Sequence, residues 1–370
     1  MTNHIKSFLY KIYLLFPYAS GQAKIYFRGE EKSFLQRFIE LALWLLKDSQ
    51  FNRNYYAFGL NLKNSNQKEY MGRKEFLFLK NKAEHLLRKN SGLADLSYDV
   101  ITKDKFISNA FFVANNIPCI PVTGLVSEDK IFYNDGKVKD LDALFEMDSP
   151  FVLKQVVLEA GDGFMLCTPK YGKLLIEDKP IDLNGLSHKL GGFKWIIQQR
   201  IVSHAAIRKV NATALNTTRI VTIRSGSKCV FLTGFQAFAT GSAEIDSWSR
   251  GSVYVGIDYR KNQLKGPGYY HPDIEGPGTT GRHPDSHMEF EGYHIPFLNE
   301  SVDLCLKAHQ LLYNHFVIGW DVAITDKGPL IVEANEKPGM NAVQCVDGGL
   351  HNEIKSHFLT TANELKSKYL

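Results

Sequence analysis

The stretch 319–340, GWDVAITDKGPLIVEANEKPGM, limits what this chain can fold into more than any other. Trp320, Val322 and Ile324 alternate with Asp321 and Ala323, the period of a strand with two unlike faces. Thr325, Asp326, Lys327 and Gly328 are turn formers, after which Leu330, Val332 and Ala334 alternate with Ile331, Glu333 and Asn335. A hairpin symmetric about Lys327 pairs Ile324 with Leu330 and sets Asp321 opposite Glu333, with Asn335 two residues further along the same face. Two carboxylates facing across a ladder repel by roughly 0.2–1 kcal/mol, and by more once desolvated. A cation between them removes that cost. Oxygen donors from Asp, Glu and Asn suit Mg²⁺ or Mn²⁺, ions usually shared with substrate phosphates. The competing reading is a hairpin whose solvent side is simply polar.

At 370 residues, 44% of them hydrophobic, the chain has enough apolar surface for two or three domains. Five scattered cysteines, odd in number and without a C-x-x-C, argue against a disulfide framework or a cysteine zinc site and for a reducing compartment. No run of 18 apolar residues predicts a spanning helix. The opening MTNHIKSFLYKIYLLFPYASGQA mimics a signal peptide, but Lys11 interrupts its apolar stretch and Pro17 closes it; an amphipathic helix is expected, with a targeting or membrane-surface segment as the alternative. Residues 1–90 hold 16 Lys/Arg against 7 Asp/Glu, a net +9, whereas the remainder holds 28 against 32, a net −4. A basic module on a slightly acidic body fits an anionic partner surface, or merely a solvated basic helix face.

Along the chain the expected class is α+β with mostly antiparallel pairing. Residues 1–98 read as a basic, mainly helical region: FLQRFIELALWLLKD and EFLFLKNKAEHLLRKN both carry apolar stripes at helical spacing. From residue 99 strands dominate. FVLKQVV, GKLLIED, WIIQQRIV, TTRIVTIRSG and KCVFLTGFQAFAT are expected strands, and NESVDLCLKAHQLLYNHF is a helix with Asn299 as its candidate N-cap. The region 241–298 is dense in Gly and Pro and reads as a long irregular insertion, the kind that tends to be functional. Within it His283 and His287 have the spacing of helical zinc ligands, but Pro284 and the surrounding glycines disfavour a helix. Substrate recognition through a polar and aromatic loop, including His271 and Asp285, is the preferred expectation.

Candidate phosphate contacts are spread through the chain. Lys154 lies on a strand ahead of Gly161, Asp162 and Gly163, where a strand lysine and a small-residue loop can meet phosphate oxygens; no G-x-x-x-x-G-K-[ST] loop is present. Lys105 opens a helix, a position the helix dipole disfavours for a cation, so it is either solvated or paired with an anion that also favours the helix start. Arg219 and Arg224 lie on one predicted strand, and Arg219 is expected to point into a cleft, with a peripheral salt bridge as the alternative for each.

Taken in order, these parts resemble the ATP-grasp superfamily. The hairpin is similar to the closing motif of D-alanine–D-alanine ligases. NTTRIVTI, HPDSHMEFEGYHIPF, IGWDVAIT and GPLIVEANEKPG more specifically resemble sugar-transfer-associated ATP-grasp proteins, relatives of α-L-glutamate ligases, over about residues 100–350. The resemblance implies two α+β subdomains clasping ATP, here 99–196 and 197–370, after the helical region. It implies that Lys105, Lys154, Gly161, Asp162 and Gly163 meet the triphosphate, and that Gln198, Gln199, Arg200 and Ile201 form the hinge beside adenine. Asp321, Glu333 and Asn335 would hold Mg²⁺ (or Mn²⁺), with Gly339 beside a substrate carboxylate.

The implied activity is carboxylate–amine ligation through an acylphosphate, joining an amino acid to a sugar or polysaccharide precursor in the cytoplasm or at the inner membrane face. Sugar phosphorylation and an ATP-binding regulatory module are the alternatives. The sequence departs from the ligase pattern where Gly319 replaces an Arg two residues before the metal Asp; Arg219 or Arg224 would then have to stabilise any oxyanion. The hinge also lacks an obvious acidic ribose-binding residue, and the N-terminal region reads helical where a Rossmann-like domain is common.

Overall fold

The computed structural model describes residues 3–92, 98–157 and 163–367. Three helices come first: α1 (Asn3–Ala19), α2 (Phe34–Asp48) and α3 (Arg73–Asn90). The start of α2 is closed by a capping box, in which Ser33 Oγ accepts from the Gln36 amide and the Gln36 side chain accepts from the Ser33 amide. Two short helices, α4 (Val100–Lys103) and α5 (Lys105–Ala114), lead into the first sheet.

That sheet contains β1 (Val122–Ser127), β2 (Lys130–Tyr133), β3 (Val138–Asp140), β4 (Phe151–Gln155), β5 (Phe164–Lys170), β6 (Lys173–Ile176), β7 (Lys179–Ile181) and, after α6 (Leu183–Leu190), β8 (Trp195–Gln199). Its order is β3-β2-β1-β8-β4-β5-β6-β7. After α7 (Ala205–Val210) the second sheet follows: β9 (Thr218–Ser225), β10 (Lys228–Phe238), β11 (Val253–Asp258), β12 (Gln263–Tyr269), β13 (Thr279–Thr280) and, beyond α8 (Leu298–Leu311), β14 (Val317–Thr325) and β15 (Gly328–Asn335). Its order is β13-β12-β11-β10-β9-β14-β15. Helices α9 (Met340–Asp347) and α10 (His351–Ser367) close the chain. Every pairing between these strands is antiparallel.

The expected α+β class and the helical N-terminal region are present. Two local expectations are corrected. The stretch 241–298 holds β11, β12 and β13, because VYVGID and LKGPGYY extend the second sheet despite their glycines. Helix α8 begins at Leu298, so Asn299 lies inside it and its amide bonds Asn262 Oδ1 at 3.1 Å.

Both faces of the second sheet are covered. On one, Val221, Ile223 and Phe235 pack with Met71, Phe76, Leu79 and Ala83 from the α3 region and with Ile354 and Phe358 of α10. On the other, Ile220, Trp320 and Val322 pack with Phe112 of α5 and with Val302, Cys305 and Ala308 of α8. The N-terminal helices therefore complete the second sheet's own core. A fully buried Leu, Met or Phe contributes about 1.5–3 kcal/mol, so Met71, Phe76 and Leu79 tie the α3 region to the second sheet. The first sheet has its own core of Leu141, Leu144, Phe151, Leu153, Leu186 and Ile197.

Candidate functional site

The hairpin β14–β15 builds the floor of a cavity of about 500 Å³. Its register differs from the symmetric one in an informative way. Thr325 pairs with Gly328, Ile324 with Pro329, Ala323 with Leu330 and Val322 with Ile331, so the turn is the two residues Asp326 and Lys327. A bulge then shifts the ladder by one, and Asp321 does face Glu333, Trp320 faces Ala334 and Gly319 faces Asn335. Because of the extra residue Val332, Ile331 and Ala334 both enter the core, while Val332, Glu333 and Asn335 all line the cavity. The expected grouping of Ile331 with Glu333 and Asn335 is thereby corrected.

Arg219, the β9 partner of Asp321 in the ladder, crosses to it as a fork: Nε meets Oδ1 at 2.7 Å and Nη2 meets Oδ2 at 3.1 Å. The Asn335 amide bridges the two acids, donating to Asp321 Oδ2 at 3.3 Å and to Glu333 Oε1 at 3.2 Å. Lys105 Nζ stands 3.9 Å from Glu333 Oε2. It reaches this point because its own amide donates to Val156 O just beyond β4, while Asp104 Oδ1 caps the helix at the Phe106 and Ile107 amides. Lys154, on β4 between Phe164 and Ile196, lines the same cavity. Two lysines from different elements thus converge on the hairpin's acids.

The electrostatics follow from burial. Burial disfavours charge on both acids; at Glu333, Lys105 and Lys154 more than offset it and hold the carboxyl below its ordinary range. At Asp321 burial outweighs Arg219, and with the Glu333 charge opposite it the carboxyl is pushed up to about 7. Burial lowers the Lys154 ammonium, an effect Glu333 partly offsets.

Gly319 also has a structural account. A Cβ there would fall 2.7 Å from Pro338 Cβ and 3.1 Å from Arg219 Nη1. The guanidinium of Arg219 occupies the space beside residue 319, so the cation comes from the neighbouring strand rather than from the hairpin itself.

The remaining named residues divide. Gln198, Gln199, Arg200 and Ile201 line the wall where β8 ends, and Gly163 and Gly339 border the cavity. Gly163 has φ +67° and its carbonyl accepts from the Gln155 amide at 2.8 Å; Gly339 has φ +68° and opens α9. Gly161 and Asp162 lie outside the described residues. His271 lines the far end, its ring edge-on to Trp248 with centroids 4.8 Å apart.

Arg224 and Asp285 do not join the site. Arg224 sits five residues after Arg219, an odd offset that turns it to the sheet's other face, where it is buried near the His309 and His315 carbonyls. Asp285 is an exposed brace that accepts from the Gly241 amide at 2.6 Å. His283 is a core residue whose Nε2 lies 2.8 Å from the Ala239 carbonyl oxygen.

Several cavity residues carry no motif. Asp246 Oδ2 accepts from the Thr217 amide and hydroxyl at 2.5 and 2.7 Å, and burial raises its carboxyl. Tyr254 stacks between Phe235 and Trp248, with centroids 4.1 and 5.4 Å away, making an aromatic wall beside that carboxylate. The pairing of Asp246 with Trp248 in a Gly- and Ser-rich stretch is the one signal that could have marked this end. Behind the hairpin, Lys80 is 2% exposed and bonds Glu84 at 2.7 Å and Glu336 at 3.1 Å, while Lys103 and Lys337 each lie 3.0 Å from Glu336. Burial opposes the Glu336 charge, yet these lysines hold its pKa at about 2. Nothing in the sequence distinguishes Lys80 from the other lysines of α3.

The pattern of the sugar-transfer associated ATP-grasp family matches residues 91–357, which include both sheets and the whole cavity. The chain belongs to this family. No protein of curated function matches the sequence. Among solved structures, this ATP-grasp chain is similar to D-alanyl-alanine synthetase A from Vibrio cholerae (12% identity, 76% of this chain and 73% of that one, TM-score 0.42). It is similar to D-alanine–D-alanine ligase from Bacillus anthracis (13%, 72% and 70%, 0.40). It also resembles N5-carboxyaminoimidazole ribonucleotide synthetase from Thermotoga maritima (13%, 72% of this chain, 0.36), of whose length it spans about half, 49%. The assignment rests on the family match alone.

Among the described residues no cluster of three or more His, Cys, Asp or Glu side chains forms a metal site, and no helix is long and apolar enough to cross a membrane. The hairpin's donor set is instead two carboxylates and one amide, which Mg²⁺ would complete with phosphate oxygens.

Proposed function

We propose that this ATP-grasp protein is an ATP- and Mg²⁺-dependent ligase joining a carboxylate to an amine, with an amino acid and a sugar or polysaccharide precursor as its substrates. One observation carries the reading: Lys105, Lys154, Asp321, Glu333 and Asn335 line one cavity whose walls come from both sheets. Adenine would rest against the end of β8 at Gln198, Gln199, Arg200 and Ile201. The triphosphate would face Lys105, Lys154 and the loop ending at Gly163.

Asp321, Glu333 and Asn335 fit a hard cation: the Asn335 amide lies 3.3 Å from Asp321 Oδ2 and 3.2 Å from Glu333 Oε1, and turning that amide over presents its oxygen beside the two carboxylates. Bound there, Mg²⁺ (or Mn²⁺) supplies charge neutralisation at the phosphates. The lysines hold the γ-phosphate in line for a substrate carboxylate oxygen, whose attack on phosphorus breaks the bond to ADP. An amine nitrogen then attacks the acyl carbon, phosphate leaves, and the nitrogen loses its proton. Arg219, whose Nη1 donates to the Pro338 carbonyl at 3.3 Å, would stabilise the oxyanion. Free thiols at all five cysteines fit a cytoplasmic setting.

A second reading has one observation in its favour. Arg219 already serves Asp321 through two nitrogens, and a kinase acting on a sugar hydroxyl needs no acyl oxyanion donor. Phosphorus NMR during turnover of Mg-ATP with a metabolite and nucleotide-sugar extract separates the two. ADP with free phosphate, dependent on the extract, supports ligation; a new phosphoester equal to the ADP, with no free phosphate, replaces ligation by phosphorylation.

A further inference from the structure

The α1–α2 hairpin turns an apolar face to solvent. Tyr10, Tyr13 and Phe16 of α1 are 53, 71 and 65% exposed, and Leu35, Leu43 and Leu46 of α2 are 63, 56 and 73% exposed. Each set recurs at helical spacing, and the Phe16 ring lies 5.8 Å from Phe34 and 5.7 Å from Phe38, so the two stripes adjoin. The opposite sides of the same helices are already satisfied: Leu15, Ala19, Leu41 and Trp44 are buried in a core with Tyr55 and Tyr56. A surface helix needs one apolar stripe; these two helices carry a second, and contiguous exposed apolar surface of this kind marks an interaction site.

The charges around the face say what covers it. Helix α1 has no acidic residue and carries exposed Lys6 and also Lys11, whose ammonium donates to the Ser49 carbonyl, and Lys47 of α2 is 62% exposed although paired with Glu75. The acids of the hairpin are paired, Glu30 in the connector with Lys63 at the surface and the others closer to the core. Glu31 pairs with Arg37, Glu40 accepts from Lys32 and from the Tyr55 hydroxyl, and buried Asp48 accepts from the Lys74 amide. Residues 3–48 hold seven Lys/Arg against four Asp/Glu, a net +3, so a second copy laid on this face would set like charge against like charge. An anionic lipid surface meets both the apolar stripes and the surrounding cations.

We propose that the α1–α2 hairpin seats this protein on an anionic membrane surface, with Tyr13, Phe16, Leu35 and Leu46 entering the headgroup–acyl boundary. The placement is independent of the reaction carried out in the cavity. The full chain is to be floated with vesicles of phosphatidylcholine alone and with vesicles containing phosphatidylglycerol. Binding is expected only to the anionic vesicles, weakening as salt is raised, and at least tenfold weaker in a Tyr13→Ser, Leu46→Ser double variant. Both side chains are exposed, so that variant keeps the parent's thermal midpoint. Failure to bind anionic vesicles, or binding indifferent to the double substitution, overturns the proposal. A concentration-dependent dimer seen by light scattering and abolished by the same substitutions overturns it too, and assigns the face to a second copy.

Discussion

Replacing Lys80 with Met tests how the N-terminal helices hold the site. The Lys80 ammonium is 2% exposed and shared between Glu84, 3% exposed, and Glu336, 5% exposed. Glu336 keeps Lys103 and Lys337 after the substitution, so the charge left without a cation among the described residues is Glu84, which still accepts from the Phe316 amide at 3.1 Å. Breaking a buried pair from one side costs about 3–5 kcal/mol, and that is the expected loss in urea unfolding followed by tryptophan fluorescence.

The pH dependence carries the diagnostic detail. Burial already raises the Glu84 carboxyl above its ordinary 4.5 even with Lys80 present; without Lys80 it rises further. A folded carboxyl with a raised pKa holds protons that the unfolded chain has released, so the variant's stability falls as pH rises above about 4.5. The deficit against the parent is therefore smallest in acid and grows toward neutrality. Removing the orphaned charge in a Lys80→Met, Glu84→Gln variant recovers much of the loss at pH 7. A Lys80→Met loss below about 1 kcal/mol, or one that does not change with pH, refutes the reasoning, because an exposed pair is worth no more than that.

The family-matched segment 91–357 expressed alone is expected to be insoluble or unfolded by circular dichroism, because it lacks Met71, Phe76, Leu79 and Ala83 from the second sheet's core and also loses Phe358. Gly319→Ala should lose about 1–3 kcal/mol in thermal unfolding, since a Cβ there meets Pro338 Cβ at 2.7 Å. Burial lowers His309 from 6.5 to about 3 and His315 from 6.5 to about 4, so both are neutral in the fold and take protons in the unfolded chain. Stability is expected to fall as pH drops from 6.5 toward 4, by up to about 1.4 kcal/mol per pH unit for each histidine, and His309→Gln should flatten that slope in pH-dependent melts.

Much of the site is legible in the sequence because strand periodicity and turn chemistry are local. Asp321 opposite Glu333, with Asn335 beside them, follows from alternation about a turn. The turn is one residue tighter than symmetry about Lys327, and the bulge at Val332 restores the register. A bulge depends on which side chains find a core on each face, here Ile331 and Ala334 against α5 and α8, and alternation alone does not carry that. Arg224 shows the opposite case, since its odd offset from Arg219 already placed it on the other face. Lys80 and Asp246 are illegible for a different reason. Each acts through partners far along the chain, Glu336 and Arg219 among them, and no local pattern records such encounters. The strands inside 241–298 were hidden by glycines that their neighbours need: a Cβ on Gly268 would fall 2.4 Å from Val253 Cγ1.

The central claim is that the hairpin and the two lysines form one Mg-ATP site. Calorimetric titration of ATP into the full chain, with and without Mg²⁺, tests it most directly when repeated on Glu333→Ala and Lys154→Met. One site per chain is predicted, tightened by Mg²⁺ in the parent. In Glu333→Ala the Mg²⁺ effect disappears, and in Lys154→Met affinity falls at least tenfold, with folded circular dichroism spectra in both. Binding of equal strength in all three proteins, or no binding to the parent, would contradict the account.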